Sequence, residues 1–245
     1  MDTSGRIGNE IKSRSDIKHV VYINLNNRPD RKNQIESELY SMEINHSAIR
    51  RFSAIELKDG ALGCSLSHLK CIQQAKIENL PHIMVVEDDL KITNINKFNV
   101  QFDTLLQTNP DWDVVLLAGN NVGPYKILSD STVKISQCQT TTGYLIKSTY
   151  YDKLIENFKN GINLLMANPT KRSLYAIDKY WFSLQSRDNW LIIYPLLATQ
   201  RPNYSNIERK YTNYDFLMLE LDKSHYNMRL MYNQINTNQS QLRFI

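Results

Sequence analysis

Cysteine is scarce in this 245-residue chain. Its three thiols, Cys64, Cys71 and Cys138, cannot all pair internally, and none stands in a CxxC spacing. That excludes a disulfide framework and a zinc knuckle, and reduced thiols are expected. Long apolar runs are lacking as well. The best one, Leu191 to Ala198, is interrupted by Tyr194 and Pro195 and falls short of the roughly 18 residues that a spanning helix needs. No apolar segment follows Met1, so a secretory signal is not expected and a cytoplasmic setting is. Neither sign of charge dominates: 29 Lys and Arg against 25 Asp and Glu leave a net charge of +4. This mild excess is not the concentrated basic stripe of a nucleic-acid binder, and no nucleic-acid partner is expected. A GxxxxGK[ST] loop, a GxSxG elbow and an HExxH pair are all absent. P-loop NTPase, α/β-hydrolase and zinc-protease chemistry therefore drop out.

What is present describes a folded α/β protein. Hydrophobic residues at 42% and charged residues at 22% are ordinary for a globular chain. The run from Ile17 to Leu25 is dense in β-branched and aromatic residues and predicts a buried strand. Ile35, Leu39 and Met42 then recur at helical spacing behind Asp30. Arg50 to Ile55 reads as a second strand. Gly60 and Gly63 read as a loop, with Ser65 or Ser67 capping a helix that runs to Asn79. His82 to Val86 is apolar and ends in Glu87-Asp88-Asp89, the form of a central parallel strand with acids at its carboxyl end. A helix around Phe98 to Leu106 and a strand from Trp112 to Leu117 follow. This alternation implies a mostly parallel sheet with crossover helices in the first half. Strands at Gly143–Lys147 and Trp190–Tyr194, and helices at Ser148–Phe158 and Lys179–Ser186, are expected in the second. The chain is divided into a polar leader (1–16), one α/β domain (17–215) and a C-terminal helical or frayed extension (216–245), which is read two ways, as a homodimer contact or as a loose end.

The acids at 87 to 89 are the principal chemical signal. Adjacent carboxylates repel, and holding them together calls for a counter-cation such as Mn²⁺ or Mg²⁺ with hard oxygen ligands. Alternation along an extended strand puts Glu87 and Asp89 on one side, where they can share one ion. A solvated acidic loop is the bland alternative. A rival reading takes Asp89-Leu90-Lys91 as the DxK of a metal-dependent nuclease, with Asp59 as an upstream ligand.

Several segments, in order, resemble glycosyltransferase family 25, the group of lipopolysaccharide and collagen galactosyltransferases. They are Val21–Leu25 with Arg28-Pro29-Asp30-Arg31, Arg51–Ala54 leading to Gly63-Cys64-Ser65-Leu66-Ser67-His68, and Val85–Asp89. Trp112-Asp113, Thr142–Ile146, Pro195–Gln200 and Tyr204–Glu208 continue the series. One departure is Asn206, where the family commonly carries aspartate.

The resemblance implies a GT-A-like α/β fold, a UDP-sugar donor, inverting transfer of galactose or another hexose, and a glycan or glycoprotein acceptor. It implies Glu87 and Asp89 as ligands of Mn²⁺ or Mg²⁺. It further implies a nucleotide-sugar site built from Asn24, Leu25, Arg28, Arg31, Gly63, Ser67, His68, Asp88, Thr142, Gly143 and Tyr144. Gly63, Ser67 and His68 are expected in a loop leading into a helix N-terminus, where free N–H groups favour anions. An inverting reaction needs a general base. Asp178, before the apolar Tyr180-Trp181-Phe182, is the first choice, with those aromatics expected to stack on sugar rings, and Glu208 is the second. A glycosyltransferase-like domain that binds without turnover is the remaining alternative.

Overall fold

The computed structural model describes residues 10–205 and 210–223. Eight strands make the main sheet: β1 (Val20–Asn24), β2 (Ile49–Ser53), β3 (His82–Glu87), β4 (Val114–Leu116), β5 (Tyr125–Ser129), β6 (Thr132–Ile135), β7 (Gly143–Lys147) and β8 (Trp190–Ile193). Their order is β2-β1-β3-β7-β4-β8-β6-β5. Six of them run one way, and β6 and β7 run against them. The sheet is therefore mixed, largely parallel, with parallel pairs between β2 and β1, β1 and β3, and β4 and β8. Antiparallel β7 is wedged between β3 and β4, which splits the carboxyl edge of the sheet.

Burial explains why the central strands read as continuous apolar runs. Along β3, Ile83 and Val85 join one core while Met84 and Val86 join the other. Along β4 and its continuation, Val114 and Leu116 alternate in the same way with Val115 and Leu117. Both faces are covered, so polar alternation is lost. Each fully buried Val, Leu or Met contributes about 1.5–3 kcal/mol.

Helices α2 (Gly60–Ile77) and α4 (Tyr151–Ala167) cover one face with Leu69, Ile72, Leu154 and Phe158. Helices α1 (Pro29–Ser41) and α3 (Ile95–Thr108) cover the other with Ile35, Leu39, Phe98 and Phe102. The result is an α/β/α sandwich.

Several boundaries differ from the sequence reading. Helix α2 starts at Gly60, so Gly63, Ser65, Ser67 and His68 are helical and not in a loop. The cause is Asp59, whose carboxylate accepts the Ala61 and Leu62 N–H groups as the N-cap. The hairpin of β5 and β6 was not expected from the sequence. Three short helical turns, Arg172–Tyr175, Ile177–Tyr180 and Phe182–Gln185, replace the single helix read over Lys179–Ser186. Packing also begins before residue 17: Ile11 is buried, and Arg14 is held by Asp103, Glu43 and the Met42 carbonyl. At the other end Asp215–Met218 forms a turn that buries Met218, and the remainder of the tail from 224 lies outside the described residues.

Gly63 marks where α2 meets the segment after β2. A Cβ there would lie 2.5 Å from the Ile55 carbonyl oxygen, a backbone atom with no flexible end to yield. Gly63→Ala should therefore destabilise by roughly 1–3 kcal/mol through overpacking, although alanine alone would favour the helix by about 1 kcal/mol. Thermal unfolding checks this: a lower Tm is expected, and a higher one would show that the helix moves away freely.

Candidate active site

A cleft of about 650 Å³ opens at the carboxyl ends of β1, β2 and β3. Its walls come from Leu25 and Arg31, the segment Ala54–Lys58, α2, the three acids, Gln139–Thr141, Arg172–Lys179 and Gln200-Arg201. Strand β3 delivers the acids. Its apolar body is locked in the core, so Glu87, Asp88 and Asp89 emerge at a fixed point of the sheet edge.

The three carboxylates have different partners. Glu87 Oε1 takes a bond from His68 Nε2 at 3.2 Å and another from the Thr141 hydroxyl, and Cys64 Sγ lies 3.9 Å away. His68 is itself anchored through Nδ1 to the Tyr144 hydroxyl at 3.0 Å. Burial alone would raise the Glu87 pKa, but the His68 and Thr141 bonds and the Arg31 charge outweigh it and hold Glu87 below its usual range. Asp88 accepts from Asn24 Nδ2 at 2.8 Å and from Arg31 at 3.1 Å. Burial still leaves its pKa raised.

Asp89 is the exception. Burial first, and then the charges of Glu87 and Asp88, push its carboxyl well above the ordinary range, with Arg31 at 3.9 Å offsetting only part. Its Oδ1 is buried and has no hydrogen-bond partner among the described residues. An orphaned carboxylate oxygen next to a second acid is the donor set that a hard divalent cation fits.

Across the cleft, Asp178 Oδ2 accepts the N–H of Thr140 at 3.2 Å. Thr140 has φ 75°, the left-handed region, where a β-branched residue costs about 1–3 kcal/mol. Asp178 thus pins a strained turn on the cleft wall and is itself oriented by it. Lys179 Nζ lies 3.5 Å from the same oxygen.

The structure brings Leu25, Arg31, Ser67, His68, Glu87, Asp88, Asp89 and Asp178 to one cleft. Asn24 lies beneath it, 2% exposed, tying Asp88 to Arg51. Arg28 turns away to pair with Asp30 at 2.7 Å and does not line the cleft. Gly63 does not line it either; Ser67 spends its hydroxyl on the Gly63 carbonyl and the Ile55 N–H, so the anion-binding loop expected at Gly63, Ser67 and His68 is instead a buried helical strut. Thr142, Gly143 and Tyr144 stand behind the wall, and Thr142 accepts the Glu87 N–H. Trp181 is fully buried with its indole N–H on the Cys138 carbonyl, a core residue and not a sugar platform. Lys91 does not line the cleft, and Asp59 is spent as a helix cap, so the nuclease geometry is not assembled. Glu208 and Asn206 lie outside the described residues.

Sequence reasoning missed Thr141, Gln200 and Arg201. Gln200 Nε2 approaches Glu87 Oε2 at 3.5 Å, and Arg201 bonds Glu38 and the Asp89 carbonyl. The signal for the last two was pairing of Ala198–Gln200 with Leu90–Ile92, which no local pattern announces.

The sequence profile described as glycosyltransferase family 25 (LPS biosynthesis protein) matches residues 50–181. The chain belongs to this family. The matched stretch contains α2, the three acids and Asp178. Two human relatives are similar to the chain, each 24% identical. One is named inactive glycosyltransferase 25 family member 3, with 75% of this chain and 32% of that protein covered. The other is procollagen galactosyltransferase 2, with 76% and 36% covered. The chain spans about a third of the length of these curated relatives. A solved glycosyltransferase involved in glycosylation of the major capsid of PBCV-1 is 13% identical, with a TM-score of 0.47 over 78% of this chain and 95% of that one. Among the described residues no helix is long and apolar enough to cross a membrane.

The raised Asp89 pKa carries a stability cost with a definite sign. Between the ordinary value of 3.8 and its higher folded value, the folded state binds more protons than the unfolded one, so stability falls as pH rises through that window. Asp89→Asn in metal-free buffer should therefore raise Tm at pH 7, by about 2–4 °C for each kcal/mol regained. The gain should vanish towards pH ~4. Thermal scans of both proteins from pH 4 to 8 check it, and a variant that is less stable at pH 7 would contradict the assignment.

Proposed function

We propose that this chain is a metal-dependent, inverting glycosyltransferase that moves a hexose from a UDP-sugar to a hydroxyl of a glycan or hydroxylated protein acceptor. The observation that carries the reading is the presence, in one cleft, of an Asp89 carboxylate oxygen without a hydrogen-bond partner among the described residues and of the oriented carboxylate of Asp178 on the opposing wall. Family membership supports the transferase class, and the relative named procollagen galactosyltransferase 2 supports a hexose and a protein acceptor.

The donor is read as entering along the carboxyl edge of β1 and β3. Leu25 and Arg31 line that side, and Arg31 already carries the charge of Asp88. Asn24 acts from below, fixing Asp88 and Arg51 so that the edge keeps its shape. Asp89, with Glu87, would hold Mn²⁺ or Mg²⁺, which supplies positive charge against the departing diphosphate when bound. His68 and Thr141 occupy Glu87 Oε1, whereas Oε2 meets only the long 3.5 Å approach of Gln200, so Oε2 is the atom for that role.

In the transfer step the acceptor hydroxyl oxygen bonds to the anomeric carbon as the bond from that carbon to the phosphate oxygen breaks. UDP leaves with the electron pair. Asp178 takes the hydroxyl proton, and its fixed Oδ2 aims the carboxyl into the cleft. Inversion follows from attack opposite the leaving group.

Asp178→Asn keeps the shape and removes the base. It should cut transfer about 10²–10⁴-fold while UDP binding stays within error of the wild type. The assay pairs UDP-galactose, UDP-glucose and their N-acetyl forms with Mn²⁺ and scores product stereochemistry. Retained transfer in the variant would remove Asp178 from the mechanism. UDP-sugar binding without transfer or hydrolysis in the wild type would favour a non-catalytic domain, which one relative's name makes a concrete alternative.

A further inference from the structure

Cys64 and His68 are one helical turn apart on α2 and present Sγ and Nε2 to the same carboxylate oxygen, Glu87 Oε1, at 3.9 and 3.2 Å. The three ligand atoms lie within 4.8 Å of one another. Tetrahedral zinc has Zn–S near 2.3 Å and Zn–N and Zn–O near ~2.0–2.2 Å. These lengths place ligand atoms about 3.3 Å apart for N and O and about 3.6 Å apart for S and O. The observed separations are within a few tenths of an ångström of both.

We propose that Cys64, His68 and Glu87 form a second metal site, for a thiophilic divalent cation of the zinc class, with its fourth position open to the cleft. The site differs in kind from the Asp89 centre: it offers sulfur and imidazole nitrogen, which soft and borderline cations prefer, where Asp89 offers only hard oxygen. The three atoms are held by separate supports. Cys64 and His68 ride on a capped helix, and Glu87 is fixed by the end of β3. The Tyr144 hydroxyl at 3.0 Å from His68 Nδ1 is the outer partner that a metal-bound imidazole uses to fix its tautomer. Cys64, His68 and Glu87 all line the cleft, which gives an ion its entry. Binding replaces the thiol proton and the Nε2 proton contact: the thiol proton leaves to solvent, and the imidazole carries its proton on Nδ1 towards Tyr144. Glu87 belongs to both centres, through Oε1 here and Oε2 towards Asp89, so zinc in this site draws on the charge of the shared carboxylate that the hard cation needs and acts as an inhibitor.

The test is a titration of the metal-free protein with Co²⁺ alone. The expected result is a thiolate-to-cobalt charge-transfer band in the near ultraviolet together with the intense visible absorption of tetrahedral cobalt, saturating at equimolar metal. Cys64→Ser should lose the ultraviolet band while keeping the wild-type Tm. No such band in the wild type, or a band that persists in Cys64→Ser, would overturn the proposal. A second readout covers a variant that fails to fold. Zn²⁺ should protect Cys64 of the wild type from alkylation, mapped by peptide mass spectrometry, and alkylation unaffected by saturating Zn²⁺ would count against the site. Neither readout needs a sugar substrate, so both stand apart from the transferase reading. The inhibitory role alone rests on that reading: Zn²⁺ should suppress transfer by the wild type and spare Cys64→Ser, and equal suppression of both would refute it.

Discussion

Three consecutive carboxylates at the end of a buried strand set the terms for the rest of this molecule. The residues before them, Ile83 to Val86, are no more than 1% exposed, so the backbone that carries the acids is fixed at the cleft edge. Like charges so placed must be compensated or neutralised. The fold supplies a separate answer for each. Glu87 has His68 and Thr141, Asp88 has Asn24 and Arg31, and Asp89 has its own backbone N–H and the distant edge of Arg31. The graded supply of partners turns a run of identical charge into three distinct groups.

That gradation links the architecture to chemistry. Asn24 ends β1, Arg31 sits in the first turns of α1, His68 lies on α2 and Thr141 precedes β7. Four elements therefore converge on the end of one strand. The wedge of antiparallel β7 between β3 and β4 is what brings Thr141 and Tyr144 to the same place. Asp178 enters from the opposite side on a short helical turn and holds Thr140 in its left-handed conformation. Strain at that turn and burial of an unpaired oxygen at Asp89 are two costs concentrated in one cleft, the pattern expected where function overrides stability.

Much of this was legible in the sequence, for physical reasons that can be named. Strands β1, β3 and β8 declared themselves because burial on both faces forces continuous apolar runs. The acids declared themselves because a strand end is a poor place to leave three unpaired charges. Helix α2 was misplaced at its start, since Gly60 and Gly63 look like a loop until one sees Asp59 capping the first turn and Ile55 demanding a residue without a Cβ at 63. The family blocks around residues 51 to 146 fall inside the matched stretch, whereas Val21–Arg31 and the segments after Pro195 fall outside it. Trp181 misled because an aromatic beside a candidate base fits a sugar platform as readily as a core. Its burial and its bond to Cys138 decide for the core. The contacts of Thr141, Gln200 and Cys64 with Glu87 were beyond local reading, because they join residues 54, 113 and 23 positions apart.

The central claim is that the cleft at the end of β3 receives a nucleotide diphosphate through a cation held at Asp89. Calorimetric titration of UDP into the protein, with and without Mn²⁺, tests it most directly. UDP should bind only with Mn²⁺ present, and Asp89→Ala should lose that binding. UDP binding that ignores both the metal and the substitution, or no binding under either condition, would contradict it.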